Sequence, residues 1–290
     1  MPILSITCED LTYIPMYIDK GIDDIALALE NSAFSALHAF SLEDIKKGIS
    51  MIQEKGCSAT IIMNALFMED EIEQKKKELE EVISYGADYV VLSDFGLFQY
   101  AKQNHFLDKV IYDPITLMTS TPEAKALMDL GVGYVCISSV LTKEEIEVIS
   151  KEVISSMVIH GYLLMSISKR PLLQEYAKDK GISLEKDKTY YIQEEKRDGL
   201  MPTIEKDRGM MIYSDAVLMS FQELNDFIKA GLKRLEIQTQ FLDLDTILHT
   251  IDAYQDILSG LDPKEVEERY KKENQRYTYF DGYYGEKTIK

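Results

Sequence analysis

A short pattern of hydrophobic and polar positions recurs along the chain. In each copy a glycine is followed, within one to three residues, by a run of mainly apolar residues, and the copies begin at Gly21, Gly86, Gly131 and Gly231. The last three copies follow segments with helical periodicity, so the glycine occupies the position that commonly ends a helix in the left-handed conformation. The pattern therefore predicts helices that alternate with buried strands.

Further apolar runs fill the intervals and are also predicted as strands, at residues 3–7, 59–63, 110–112 and 157–159. Together with the glycine-led runs they give about eight strands that alternate with helices. At this chain length, such alternation favours an α/β fold of the (β/α)8 TIM-like barrel type over an open doubly wound sheet. A dinucleotide-binding fold has no support, because no Gly-x-Gly-x-x-Gly sequence follows a strand.

The alternation is interrupted once, between the seventh predicted strand near His160 and the eighth near Leu235. About seventy residues lie in this interval, roughly twice what a barrel connection needs. A β-prone segment, the turn signal Asp198-Gly199 and a returning apolar run predict a small β insertion over residues 185–215. Because loops after barrel strands lie at the C-terminal face, the insertion is expected on the rim, over any site there.

The barrel is predicted to cover residues 1–260, and the remaining segment, 261–290, differs in character. An amphipathic helix over 244–258 is expected to close the barrel. The tail is strongly charged up to Arg276 and rich in aromatic residues after it. It is interpreted as a solvated helix followed by a segment docked on its own barrel, and the alternative is an arm that binds a partner.

Composition and charge narrow the class of protein. The chain has 290 residues, of which 46% are hydrophobic and 28% charged, which is typical of a globular protein with a large core. No apolar run is long enough to span a membrane and no basic segment precedes the first apolar run, so a cytoplasmic location is predicted. The net charge of −18 argues against electrostatic binding of nucleic acid over a large surface, but it does not exclude a local basic patch or a basic partner subunit.

The three cysteines, Cys8, Cys57 and Cys136, are odd in number and far apart, and each lies in an apolar run. Buried free thiols are therefore expected rather than disulfides or a metal cluster. Asp94 and Asp113 follow predicted strands and could bind a cation, but two carboxylates of unknown geometry do not define a metal site. No metal ligands are predicted.

The candidate functional site lies where the seventh strand ends. His160 could be a catalytic base or a ligand, although a lone histidine is more often a hydrogen-bonded structural residue. Hydroxyl and cationic side chains that follow it would suit an anion or an anionic substrate, namely Ser166, Ser168, Lys169, Arg170 and, from the insertion, Arg197. The alternatives are a solvated helix start for the first two cations, and pairing with neighbouring acids for Arg197 and Arg208.

Several motifs in the second half of the chain resemble peptidase family U32. They are His160-Gly161 with Ser168-Lys169-Arg170, Pro202-Thr-Ile-Glu205, Ser214-Asp215 and the run from Gly231 to Gln238. Their order and spacing hold over roughly residues 80–260. The family takes its name from collagenase-like proteases, whereas other branches carry an iron–sulfur cluster and support hydroxylation, in ubiquinone synthesis or of the wobble uridine of tRNA with prephenate.

The chain departs from the cluster-bearing members of the family. Those members have a cysteine at the position of Leu164, and often another at that of Pro171, whereas no cysteine follows Cys136 here. Because a cluster needs thiolate ligands, no iron–sulfur cluster is expected in this chain. Relatives also read Lys-Ile-Glu or Lys-Ile-Asp in the eighth strand, where this chain has Glu236-Ile237-Gln238, and they carry an arginine and a glutamate within the segment aligned with residues 137–141.

The resemblance implies a cluster-free family member that acts as a non-catalytic or accessory subunit of a cluster-bearing paralogue, in tRNA wobble-uridine 5-hydroxylation. Contact with tRNA would be indirect, through that partner, and the turn from His160 to Arg170 would contribute anion contacts. Two alternatives stay open: a stand-alone peptidase or hydrolase, as the family name suggests, and a small-anion binding protein. The sequence shows no protease constellation.

Overall fold

The computed structural model describes residues 1–34, 36–114, 116–185, 187–195 and 198–285. Within these ranges, eight parallel strands form a closed barrel: β1 Ile3–Cys8, β2 Asp24–Ala28, β3 Ser58–Met63, β4 Tyr89–Leu92, β5 Val110–Tyr112, β6 Tyr134–Cys136, β7 Ser155–Ser168 and β11 Arg234–Ile237. Each strand pairs with the next, and β11 pairs with both β7 and β1, which closes the ring. The predicted TIM-like barrel is confirmed.

Helices connect the strands and cover the outside of the barrel: α1 Ile14–Asp19, α2 Leu42–Gln53, α3 Ile72–Ser84, α4 Phe95–Gln103, α5 Thr121–Leu130, α6 Lys143–Ser150, α7 Leu172–Lys180, α8 Leu224–Ala230, α9 Leu244–Leu258 and α10 Pro263–Glu273. As predicted, Gly131 and Gly231 end α5 and α8 in the left-handed conformation, with φ of 105° and 114°. None of the helices described is both long and apolar enough to cross a membrane.

The inside and the outside of the barrel differ in chemistry. Large apolar side chains from the outward faces of the strands pack against the helices and form the main core. The inward positions of β2 and β3 instead carry small or medium apolar residues, including Ala26, Ala28 and Ile62. Such an interior leaves room for polar groups at the floor of the barrel and for a cavity at its mouth.

A buried ion pair joins four strands at the floor. Arg234, the first residue of β11, is 1% exposed and pairs with the carboxylate of Asp24 on β2, which is fully buried. The Arg234 Nη2 also donates to the hydroxyls of Ser5 on β1 and Thr60 on β3, each at 2.9 Å. Both hydroxyls in turn donate to the Asp24 carboxylate at 2.7 Å. The first three strands and the last strand therefore share one network.

The insertion is an antiparallel extension of the barrel sheet. β7 runs on beyond the barrel and pairs with β10 Gly209–Met219, followed by β9 Leu200–Lys206 and β8 Tyr190–Gln193. The continuation of β7 past Gly161 belongs to this sheet, although the sequence places the insertion over 185–215. The difference arises because β7 continues through Gly161 and pairs with β10, although the apolar run in the sequence ends near His160.

The C-terminal segment docks on its own barrel, as the first of the two interpretations expects. Helix α10 packs against α9, and a short strand, β12 Tyr279–Phe280, pairs in parallel with β10. Tyr277 donates to the carboxylate of Asp243 at 2.8 Å, and the hydroxyls of Tyr284 and Ser220 lie 2.6 Å apart. Residues 286–290 lie outside the described part of the chain.

Replacing Arg234 by Met is expected to lower the free energy of unfolding by about 3–5 kcal/mol, because the variant leaves the Asp24 carboxylate buried without its cation. Urea denaturation of both proteins measures the difference. Arg269→Met is the matched control, since it breaks a partly exposed pair with Asp256, and such pairs contribute about 0–1 kcal/mol. Equal losses in the two variants would contradict the structural role given to the floor network.

Candidate functional site

A cavity of about 140 Å³ lies at the mouth of the barrel, where the carboxyl ends of the strands meet. Four barrel strands and the residues just after them contribute polar side chains to its lining, namely Asn64, Asp113, Cys136, Glu236 and Gln238, and the loops add Thr116, Ser138 and Ser139. Glu236 and Gln238 lie two positions apart, so the alternation of a strand points both of them into the barrel. In barrels of this type, sites are built at this end.

The extension of β7 covers one side of this cavity. Leu163, Leu164 and Ile167 contribute apolar side chains to its lining. Gly161 marks the point where the chain leaves the barrel. It has a φ of 121°, and a Cβ atom there would lie 2.4 Å from the carbonyl oxygen of Gln238. A side chain at this position would push the cover away from the mouth.

Three cations hold the far end of the extension across the mouth. Lys206 donates to the carbonyl oxygen of Leu37, in the loop after β2. Arg208 forms an ion pair with Glu71 at 2.7 Å, rather than with the acidic neighbours considered from the sequence. Lys169 donates to the carbonyl oxygen of Leu66, in the loop after β3, at 2.8 Å. The insertion therefore spans the mouth from the seventh strand to the second and third.

His160 does not line the mouth cavity. Val158 points into the barrel, and a regular strand would also point residue 160 inward. However, β7 carries one extra residue, Ile159, between the pairs that Val158 and His160 make with β11. This bulge re-aims the His160 ring outward, between the barrel and helices α9 and α10.

The His160 ring is fully buried in an aromatic cage. It stacks on Phe221 and meets Tyr254 and Tyr270 edge-on. The Tyr270 hydroxyl lies 3.2 Å from Nε2, and the Thr250 hydroxyl lies 3.4 Å from the same atom. Burial lowers the pKa of His160 to about 3, so the ring is neutral at physiological pH. Its predicted catalytic role stays a prediction, and the observed contacts are those of a structural residue.

The predicted anion-binding residues lie together on the outer side of the extension. The backbone N–H of Arg170 donates to the Ser168 hydroxyl at 3.1 Å, and the side chains of Ser166, Lys169 and Arg170 are exposed. None of these four residues lines the mouth cavity. Arg197 lies outside the described residues. Their role in binding an anion stays a prediction.

Asp94 and Asp113, the two acids considered for a cation, have different environments. Asp94 caps α4 by accepting from the backbone N–H groups of Gly96 and Leu97, at 2.8 and 3.1 Å. Asp113 faces the mouth cavity and accepts a hydrogen bond from the side chain of Asn64. In the part of the chain that the structure describes, no group of three or more potential ligands could hold a metal ion.

The acidic groups of the mouth are held towards their neutral forms. Burial, and then the nearby Glu236 carboxylate, raise the pKa of Asp113 to about 7. Burial also raises the pKa of Glu236, although Arg234 opposes this with its Nε at 3.8 Å. Burial raises the pKa of Cys136 well above its usual value, so the thiol stays protonated. The mouth thus offers carboxyl and amide groups rather than a thiolate.

Three residues that line the mouth cavity, Cys136, Glu236 and Gln238, have no site role among the predictions from the sequence. Cys136 was considered only as a core thiol, and Glu236 and Gln238 only as departures from the family. The available signal was the alternation of β11, which places both residues on the face of Arg234. No histidine is among the described residues that line the cavity.

Comparison with known proteins gives consistent matches. The model of peptidase family U32 matches residues 9–288. The chain is 22% identical over 280 residues to the "tRNA hydroxylation protein P2" of Bacillus subtilis (strain 168). The matched region covers 94% of this chain and 91% of that protein. It is also 22% identical over 265 residues to the "23S rRNA 5-hydroxycytidine C2501 synthase" of Escherichia coli (strain K12), but covers 37% of that longer protein.

Solved structures support the fold. The U32 peptidase Mk0906 superposes with a TM-score of 0.52 at 12% identity, over 82% of this chain and 92% of that one. The 4-hydroxy-tetrahydrodipicolinate synthase of Methylacidiphilum fumariolicum SolV gives a TM-score of 0.51 at 8% identity, over 93% of this chain and 78% of that one. At these identities the likeness concerns the barrel architecture alone.

The His160 cage predicts a particular dependence of stability on pH. The unfolded chain, with an ordinary imidazole pKa of 6.5, binds more protons than the folded chain between about pH 3 and 6.5. The free energy of unfolding should therefore fall as the pH is lowered through this window, by at most about 1.4 kcal/mol per unit from this residue. His160→Phe removes this contribution, so its stability relative to the parent should rise steadily from pH 6.5 to 4 in urea titrations. Two parallel curves would contradict the assignment.

Proposed function

The chain belongs to peptidase family U32, and on that basis we propose that it is an accessory subunit of a cluster-bearing family member in tRNA wobble-uridine 5-hydroxylation. The similarity to the "tRNA hydroxylation protein P2" extends over nearly the full length of both chains, which supports this process. In this proposal the paralogue carries out the chemistry, and this chain stabilises it and shapes its substrate site.

The observation that carries the proposal is the chemistry of the mouth. Leu164 occupies the position at which the resemblance places a cluster cysteine, and here its side chain lines the cavity. Cys136 is the one cysteine among the described residues that line the cavity, whereas an iron–sulfur cluster is usually held by four thiolates. An apolar side chain at the position of Leu164 and a single thiol at the mouth support a role in which another chain supplies the iron–sulfur cluster.

The outer surface of the extension is suited to contact with a partner. Met165, Lys169 and Arg170 are exposed there, and the Lys169 Nζ lies 3.8 Å from the sulfur of Met68, itself 60% exposed. Exposed apolar side chains that border cations are typical of protein–protein contact surfaces. On a chain of net charge −18, these cations also offer a local contact for an acidic partner or for tRNA held by it.

The proposal is tested by recovering the tagged chain from its own host, grown without oxygen. We expect an iron-containing U32 paralogue in near-equal amount, and loss of 5-hydroxyuridine from tRNA when the gene is deleted. The Lys169→Ala, Arg170→Ala double variant should reduce recovery of the paralogue at least fivefold. Lys55→Ala, at the opposite end of the barrel, is the matched control. Mass spectrometry of the eluate and of digested tRNA supplies both readouts.

Other results would favour the alternatives. Recovery of the chain alone, with unchanged tRNA modification in the deletion strain, would refute the accessory role. Peptide cleavage by the purified chain that is lost in His160→Ala would favour the stand-alone peptidase. Stabilisation by small anions that disappears in Arg170→Ala would favour the anion-binding protein.

A further inference from the structure

We propose that the mouth cavity is a binding site for a small organic cation, whose ammonium, guanidinium or amidinium group pairs with the carboxylate of Asp113. This inference concerns the isolated chain and does not depend on the proposed accessory role. It rests on the charges that line the cavity, on the cations that are absent from its described lining, and on the size and walls of the space.

The acidic side chains that line the cavity carry charge of a single sign above the pKa of Asp113, which is about 7. Asp113 enters from the end of β5 and Glu236 from β11, and both line the same space. The other titratable group facing them is the Cys136 thiol from β6, and Asn64 after β3 donates to Asp113. Among the described residues that line the cavity there is no lysine, arginine or histidine. The two acids therefore lack a full counter-charge within the site.

The cations nearest to this region are engaged elsewhere. Arg234, below the cavity, is held by Asp24 at the floor, and only its Nε approaches Glu236, at 3.8 Å. On the rim, Lys206 and Lys169 donate to backbone carbonyl groups, and Arg208 pairs with Glu71. The cover is thus fastened by cations that do not reach Asp113. Among the described residues, none of these cations neutralises Asp113, so we expect a ligand to supply the positive charge.

The two acids of the cavity differ in the partners that the chain gives them. Ser156 on β7 pairs with Cys136 and Arg234 on the neighbouring strands, so it shares their inward face. Its buried hydroxyl hydrogen-bonds to the side chains of Glu236 and Cys136. Glu236 therefore has Ser156 and, at 3.8 Å, the Arg234 Nε as partners, whereas Asp113 has the neutral amide of Asn64. Among the described lining residues, Asp113 is thus the acid that a cationic ligand would pair with.

The size and walls of the cavity limit the ligand. Its volume of about 140 Å³ is close to that of cavities that hold a single benzene-sized ring. Phe34, Val158, Leu163 and Ile167 give apolar walls, which suit the hydrocarbon part of an amine or an aryl amidine. Anions are disfavoured by the two carboxyl groups. A free amine or amidine and the lysine or arginine side chain of a partner both carry such a cationic group on a hydrocarbon part.

Titration calorimetry with three isosteric probes tests the proposal at pH 8: benzamidinium, neutral benzamide and anionic benzoate. We expect benzamidinium to bind at least tenfold more tightly than benzamide, and benzoate not to bind. Asp113→Asn should weaken benzamidinium at least tenfold, whereas Asp129→Asn, on the exposed end of α5, should leave it unchanged. Because Asp113 must be ionised and its pKa is about 7, affinity should rise from pH 6 to 8, with proton release on binding below pH 7.

Several outcomes would overturn the site. They are no binding of benzamidinium, equal binding of benzamide, or undiminished binding to a folded Asp113→Asn protein. Glu236→Gln serves as a second variant if Asp113→Asn fails to fold, and it should weaken benzamidinium at least threefold. Once benzamidinium binding is established, adding the co-purified partner distinguishes a free cationic ligand from a cationic side chain of the partner. Competition with benzamidinium indicates a partner side chain, and simultaneous binding indicates a free ligand.

Discussion

The fold depends on the buried contact between Arg234 and Asp24. Ring closure requires that the last barrel strand find the first, and side chains from β11, β1, β2 and β3 meet in this one network. A charge removed from water is stable only when it is paired and hydrogen-bonded. The register that brings Arg234 beside Asp24 pairs the two buried charges through the Arg234 Nη2, so the network favours this closed arrangement over shifted ones. The same register determines which side chains of β11 line the cavity at the mouth.

The periodic features of the fold could be read from the sequence, because they depend on local rules. Gly131 and Gly231 end their helices as predicted, since only a residue without a side chain adopts the left-handed conformation freely. The excess length between the seventh and eighth strands correctly indicated an insertion. The alternation of β11 also placed Glu236 and Gln238 on one face, although their convergence with Asp113 needed the closed barrel.

The remaining features depend on contacts between distant parts of the chain. The bulge at Ile159 turns His160 away from the mouth. The position of a bulge cannot be predicted from the sequence of an apolar strand, because it depends on the register with the neighbouring strand. Arg208 pairs with Glu71, more than a hundred positions away, rather than with its acidic neighbours. The hydroxyl and cationic side chains after Gly161 were predicted to form a site because they follow an apolar run that resembles the end of a barrel strand. In the structure the strand continues past Gly161 and covers the mouth, and these side chains lie on its outer side.

Because the first and last barrel strands pair with each other, the barrel can close only late in synthesis of the chain. Ile3 pairs with Arg234, and the His160 cage is completed by Tyr270 in the last tenth of the chain. At roughly 5–20 residues per second, a ribosome needs on the order of ten seconds or more to make the partner of β1. During that time β1 has an unpaired edge, which is where nascent chains associate wrongly. The order of synthesis therefore exposes this barrel to aggregation until its final helix emerges, and chaperone binding would act on the N-terminal strands.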